Sequence, residues 1–536
     1  MRILVIGAGP TGVHFSLSAL EKGHQVTMID VGNARPPVAL PAANFLGLKR
    51  DLPDPIAYFN GEDYTGITLP AASPGDYAAY YGLPPSKDYV FDRPSRFRFS
   101  NDNFAPVLSF AAGGLAEAWT TGSYPFNEDE LAAFPFSYTD IEPFYSEIAR
   151  RIGVAGEEDD LARAYPRHNN LAKPTNLDTS GRHLLAQYER KRRKYNGSAV
   201  LGRSRQAILT EARPGRSACT YCGRCLWGCP NGALYTPSYT LRECMTHANF
   251  HYVPGYFVSH FELTQSGEIE SAHAYQLAGG AAEKFDADAY ILAAGAVSTS
   301  NIVLRTQYKS RGEIVRLEGL MDNRQVFAPF FNLAMLGKSY DPDSYQYHQL
   351  AFGLFRDEPE RYVHGQVTTL KTASAHPVIQ NLPVDLKTAA QVFRTVRSGL
   401  GVANLNFCDT RRVGNYLTLF DDGEEWPVLT ARYRSDEREP TEMSSALKQA
   451  GRFFADLGAP FVPGMTQIRP MGSGIHYTGT LPMSAEKASW SVSPSGQSYD
   501  FPNLFVVDGA TFPFLPAKNL TFTLMANAAR IAAKAF

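Results

Sequence analysis

Two short stretches of this chain hold residue types at spacings that could do chemistry. The first is Cys219-Thr-Tyr-Cys222-Gly-Arg-Cys225-Leu-Trp-Gly-Cys229-Pro230, a C-x-x-C-x-x-C-x-x-x-C-P run with the spacing of iron–sulfur ligand runs. Short spacers put several thiolates on one side of a tight loop, and Gly223 and Gly228 let the backbone wrap a cluster whose sulfides accept its N–H groups. Zinc is one alternative, although four-cysteine zinc sites usually pair two separated knuckles. Four reduced, empty thiols are another. There is no second run to share ligands, so the loop implies [4Fe–4S] on all four thiols, [3Fe–4S] on three, or help from a distant thiol. Cys244 and Cys408 are available for that, but an isolated cysteine is more often a small buried hydrophobe.

The second stretch is Gly7-Ala-Gly9-Pro10-Thr11-Gly12, in G-x-G-x-x-G spacing directly after the branched apolar run Arg2 to Ile6. One glycine makes the tight turn, one lets a pyrophosphate approach the backbone, and one lets a helix sit close on the strand. The helix N-terminus then faces phosphate, and Asp30, ending the next apolar run, can accept hydrogen bonds from ribose hydroxyls. This is a dinucleotide grip. The spacing does not choose between NAD and FAD.

The elements that must position these groups can be read in order. Arg2 to Ile6 is a buried parallel strand; Val13, Leu17 and Leu20 give the following helix its buried face, and Gly23 stops it before a strand at 25–29. Residues 32–103 read as long irregular excursions. Gly113-Gly114, ahead of Trp119-Thr120, would let backbone pass a flat ligand. A helix starts near residue 138, with Thr139 or Asp140 as its cap. The segments 268–277 and 284–292 read as paired strands, the second ending in the small-residue turn Ala293-Ala294-Gly295. From 311 to 462 short alternating strands (366–370, 402–407) surround a helical excursion at 384–397, as in a separate antiparallel domain closed by a helix over 443–457. The strand 504–507, the turn Asp508-Gly509 and an Ala-rich helix from Thr521 to Ala535 can return the chain to the cofactor. The expected fold is therefore α/β: a Rossmann-like nucleotide domain over 1–310, which includes the cysteine loop 214–236, an antiparallel substrate domain over 311–462, and a return over 463–536.

Bulk composition excludes several classes. The 51 Lys and Arg nearly cancel the 53 Asp and Glu, which gives no electrostatic footprint for nucleic acid or an anionic membrane. No apolar run is long enough for a membrane span. With the grip starting at residue 2 no signal peptide is expected, and with four of six cysteines in one run no secreted disulfide framework either, so the expected location is cytoplasmic.

Taken together, the segments resemble the glucose–methanol–choline (GMC) flavoprotein oxidoreductases over nearly the whole chain. The resemblance rests on Gly7 to Gly12 with Asp30, on Gly113-Gly114 through Trp119-Thr120, on the segment around Val258, and on 291–298 with Ala294 and Gly295. It continues in His476-Tyr-Thr-Gly-Thr-Leu-Pro-Met483 and in Asp508-Gly509 leading to Asn519-Leu-Thr521. It implies FAD as cofactor, His476 as the active-site histidine, and Asn519 as its partner. The chain looks most like pyranose oxidases and the large subunits of bacterial glucose and gluconate dehydrogenases. Those dehydrogenase subunits also carry a cysteine segment ending in Cys-Pro, but lack a thiol matching Cys222. Where pyranose oxidases attach flavin through a histidine, this chain has Ala118, which implies non-covalent FAD.

The expected activity is oxidation of a hydroxyl on a sugar-like, polyol or glycoside substrate. Imidazole near neutrality suits removal of the hydroxyl proton while hydride leaves carbon. A cluster implies electrons leaving singly to a cytochrome, ferredoxin or quinone-like carrier, and the resemblance to the dehydrogenase subunits implies that export with a small, signal-bearing companion subunit is open to this chain. Two alternatives stand beside it: an oxygen-reducing oxidase whose cysteine loop is structural, and a non-redox flavoprotein in which FAD is scaffold.

Overall fold

A computed structural model describes residues 1–34, 45–61, 84–341, 344–345, 347–369, 379 and 382–536. Its first core is a five-stranded sheet in the order Leu504–Val506, Ala289–Leu292, Arg2–Ile6, Gln25–Asp30, Phe250–Pro254. All four pairings are parallel. Parallel strands buried on both faces need continuous apolar runs, and Ile3 to Ile6 and Ala289 to Leu292 are all buried. The helix Pro10–Glu21 covers one face and meets the helix Thr521–Ala535: Lys22 Nζ donates to the Ala533 carbonyl at 2.7 Å, and the Phe15 and Phe536 rings stand edge to face.

The second core is a six-stranded sheet, antiparallel throughout, in the order Gln467–Ile468, Gln325–Phe331, Leu400–Asn406, Val363–Thr369, Leu350–Leu354, Ala199–Arg203. The helix Glu439–Asp456 packs Met443, Ala446, Ala450, Phe453 and Phe454 into the core behind it. Its two edge strands come from outside 311–462. A sheet recruits strands by register and exposed edge, not by chain order, and a five-residue run such as Ala199–Arg203 carries no label of the sheet it will join.

Three other local expectations are corrected. The segment 284–292 is two strands: Ala282–Phe285 pairs antiparallel with Ile269–Gln276, whereas Ala289–Leu292 crosses into the parallel sheet. The helix Tyr138–Ile152 is capped by Ser137 in a capping box with Asp140, about two to three residues earlier than expected. Residues 32–103 are not wholly irregular, because Phe99–Asp102 is a strand beside Val428–Arg432 and Pro55–Asn60 a helix. Within that segment 35–44 and 62–83 lie outside the described residues, as does Leu370 at the end of the expected strand 366–370.

Candidate active site

The glycine turn is built by close approach. Gly7 has φ +107°, and a β-carbon there would stand 2.6 Å from the Ala293 carbonyl oxygen; one on Gly12 would stand 2.0 Å from the Gly7 oxygen. No other residue fits at Gly12 without parting helix from turn. Gly9 caps Pro10–Glu21 in extended conformation with no side-chain hydrogen bond, so the first N–H groups of that helix remain for an anion. Asp30 closes the second strand, and burial pushes its carboxyl up to about 7.

A second turn lies alongside. Gly295, with φ +84°, donates its N–H to Asp508 Oδ2 at 2.9 Å, while Ala510 N–H donates to Asp508 Oδ1 at 3.0 Å. Asp508 therefore ties the turn after Ala289–Leu292 to the turn after Leu504–Val506. Desolvation raises it to about 6.

One cavity of about 570 Å³ connects these turns to the antiparallel sheet. Its walls include Gly7, Gly9, Pro10, Thr11 and Asp30 from the first turn, Gly114, Trp119, Thr120, Val258, Ala294, Gly295, Asp508, Gly509 and Thr521, and also His476 and Asn519. The structure thus brings together nearly every residue expected at a cofactor or catalytic position. Gly12 and Gly113 are not on its wall. Gly12 lies beneath the Gly7 turn, and Gly113, at φ +100°, bends the chain where a β-carbon would strike Glu117 Oε1.

His476 is 5 % exposed, and its Nδ1 lies 2.8 Å from Asn323 Oδ1. Burial lowers its pKa to about 4, so the ring is neutral. The loop that carries it is held by three consecutive residues. Met321 and Thr478 exchange backbone hydrogen bonds at 3.0 and 3.2 Å, Asp322 Oδ2 accepts from Gly472 N–H at 2.7 Å, and Asn323 takes the imidazole. Between them Ile475 adopts φ +56°, a left-handed conformation that a β-branched residue takes only under constraint.

Asn519 Oδ1 accepts a 2.7 Å hydrogen bond from Gln366 Nε2. The adjacent Lys518 donates to Glu130 and to the Pro125 and Ala164 carbonyls. Facing this pair, alternate residues of the sheet line the cavity: Gln325 and Phe327, Val402 and Asn404, Gln366 and Thr368, with Arg469 stacked over the Phe327 ring. Amides, a hydroxyl and an aromatic face form a surface suited to a polyhydroxylated molecule. Asn323, Gln366 and Arg469 carried no sequence signal, since a single Asn, Gln or Arg in an alternating segment looks like any polar strand residue.

The cysteine run lies behind one wall of this cavity. Cys219, Cys222, Cys225 and Cys229 line a separate space of about 20 Å³ with Ile208, Leu234 and Tyr345. Tyr221, Gly223 and Gly228 adopt positive φ around them, and Tyr221 N–H donates to Cys219 Sγ at 3.4 Å. Among the described residues no three His, Cys, Asp or Glu side chains are grouped at metal-ligand spacing. Cys244 and Cys408 do not join them. Burial pushes each up to about 12, and Cys244 points its thiol at the Val13 carbonyl beneath the glycine-turn helix. Trp119, Ala118 and Tyr347 border both the main cavity and a polar space of about 190 Å³ that Cys225 and Cys229 line from the other side.

A parallel nucleotide-binding sheet whose glycine turn opens into a cavity roofed by an antiparallel sheet defines a dinucleotide-dependent oxidoreductase architecture. Residues 411–528, which include His476 and Asn519, match the GMC oxidoreductase family model. The chain is 22% identical over 562 residues to 6'''-hydroxyparomomycin C oxidase of Streptomyces lividus, covering 98% of this chain and 90% of that one. It is 24% identical over 577 residues to 2-methyl-1,2-propanediol dehydrogenase of Mycolicibacterium austroafricanum, covering 98% and 94%. It shares its fold with pyridoxine 4-oxidase from Mesorbium loti, at a TM-score of 0.62 and 12% identity over 99% of this chain and 98% of that one. Residues 411–528 therefore carry the match to the GMC oxidoreductases, a family that implies FAD, and the whole chain shares its fold with pyridoxine 4-oxidase. Among the described residues no helix is long and apolar enough to cross a membrane.

Proposed function

We propose that this protein oxidises a hydroxyl of a sugar-like, polyol or glycoside substrate, with non-covalent FAD held along the cavity from Gly7 to Gly295 and the reacting carbon held between FAD and His476. The observation that carries this reading is a single cavity whose walls include both a glycine-turn anion site and a neutral, buried imidazole paired with an amide. Bound FAD supplies a hydride acceptor. The N-terminus of Pro10–Glu21 takes the pyrophosphate, Asp30 the ribose hydroxyls, and the start of Thr521–Ala535 stabilises negative charge near the ring. His476 accepts the hydroxyl proton, Asn519 hydrogen-bonds the same oxygen, and the amides of the sheet face orient the remaining hydroxyls. Each relative described above has a hydroxyl-bearing compound in its name, which supports this substrate class.

The proposal extends to the cysteine run. Four cysteines bordering one space, a step behind the Trp119 and Tyr347 wall, are a donor set of the kind that holds a [4Fe–4S] or [3Fe–4S] cluster, which would pass electrons singly to an external protein or carrier. The competing reading is an oxidase that reduces oxygen around a structural loop. The word oxidase in a relative's name and the lack of a preformed ligand group among the described residues favour it.

Anaerobic bleaching of the flavin by a panel of sugars, glycosides and diols tests the first part; failure of every member while dithionite still bleaches it would leave FAD as scaffold. Iron and acid-labile sulfide analysis with EPR, on protein purified without oxygen, tests the second. A cluster signal lost in Cys225→Ser with flavin retained supports the relay. Iron-free wild type that makes peroxide in air supports the oxidase.

A further inference from the structure

We infer that Asn323 is a positioning residue that decides which nitrogen of His476 carries the proton, leaving Nε2 as the bare acceptor offered to substrate.

The argument turns on which way the amide faces. Asn323, 1 % exposed, donates through Nδ2 to the Phe407 carbonyl at 2.7 Å and the Pro516 carbonyl at 3.0 Å. Both partners are carbonyl oxygens that can only accept, so the reversed amide would set oxygen against two oxygens. The atom 2.8 Å from His476 Nδ1 is therefore Oδ1, which can only accept. Nδ1 must carry the hydrogen. In a neutral ring that leaves a lone pair on Nε2, at the edge of the ring away from Asn323, as a base requires.

The same contact explains why an amide is there and not a carboxylate. An aspartate would accept the same hydrogen bond, but its second oxygen would face the Phe407 and Pro516 carbonyls where an N–H now donates, and any charge it kept would favour imidazolium. Asn323 fixes the tautomer without adding charge, and Asp322 and Met321 fix the loop on either side of the ring. The two anchoring carbonyls matter in themselves: Phe407 ends the strand region of the antiparallel sheet, and Pro516 precedes Lys518 and Asn519. One amide thereby ties together the sheet, the histidine loop and the loop of Asn519.

The inference rests on His476 being the base, and its test separates the two. Holoenzyme labelled with ¹⁵N-histidine, with the His476 signals assigned by their loss in His476→Gln, reports tautomer and titration without any substrate. Wild type is expected to show the neutral Nδ1–H form across neutral pH. Asn323→Asp, protonated toward the two carbonyls or charged, should keep the hydrogen on Nδ1. Asn323→Leu, checked for flavin content and melting temperature, should lose the Nδ1–H form. A wild-type Nε2–H ring overturns the inference even if Asn323→Leu fails to fold. If the tautomer holds but no alcohol bleaches the flavin, the functional reading fails and the Asn323 assignment stands.

Discussion

Lys518 and Glu130 form an ion pair at 2.5 Å in which neither side chain is exposed, one residue from Asn519. The third and second donors of the ammonium go to the Pro125 and Ala164 carbonyls, and Glu130 also accepts from Asn127 N–H in a capping box. Truncating one partner leaves a buried charge uncompensated, which costs roughly 3–5 kcal/mol. Lys518→Met should lose about that much in denaturant unfolding, and Lys518→Met/Glu130→Leu should recover most of it, because replacing both charges with apolar groups removes the desolvation cost.

The low pKa of His476 sets the acid limb of the reaction. Burial holds it at about 4, below its usual 6.5, so the base form persists until pH falls through that value. The rate constant for anaerobic flavin reduction should be flat from neutrality down to weak acid and then decline. A limb centred near the ordinary histidine value would mean that another group, or a solvated His476, sets the rate. His476→Ala should lower the rate by about 10²–10⁴-fold with flavin still bound.

Asp322 works in the opposite sense. Burial raises its carboxyl from 3.8 to about 8, so the folded chain binds a proton there that the unfolded chain releases. Stability contributed by this group is present at low pH and lost as pH rises from near 4 toward 8. Asp322→Asn can still accept from Gly472 N–H and should flatten that dependence, measured as melting temperature against pH beside wild type.

Gly12→Ala should abolish flavin retention, because its β-carbon would meet the Gly7 oxygen at 2.0 Å, backbone that cannot swing aside. Gly114→Ala is the contrast. Its nearest neighbour is Gly9 Cα at 3.5 Å, so the added carbon meets ordinary contact and the penalty comes only from the positive φ of 62°. Flavin content after gel filtration should separate the two.

How much could be read beforehand follows the length scale of each feature. The glycine turn, Asp30 and the buried strands were legible because their geometry is imposed within thirty residues by backbone sterics and apolar periodicity. The expectations at His476 and Asn519 rested only on family resemblance, because nothing local distinguishes one histidine among twelve. Asn323 was not legible at all: its role depends on carbonyls at Phe407 and Pro516, far along the chain in both cases. The split of 284–292 between two sheets failed for a related reason, since Asp286 and Asp288 sit in a turn whose meaning comes from Arg2, which pairs with both.

The parallel sheet has Leu504–Val506 at one edge, and Thr521–Ala535 packs on the helix that begins at the glycine turn. Translation delivers these pieces last and the glycine turn first. Residues 1–30 thus leave the ribosome with their nucleotide-binding half made and wait for most of the chain before the opposing wall exists. On the proposed reading, cofactor loading must then wait for residues 504–535. A nascent chain stalled before residue 504 should hold flavin poorly however well its first strands have formed.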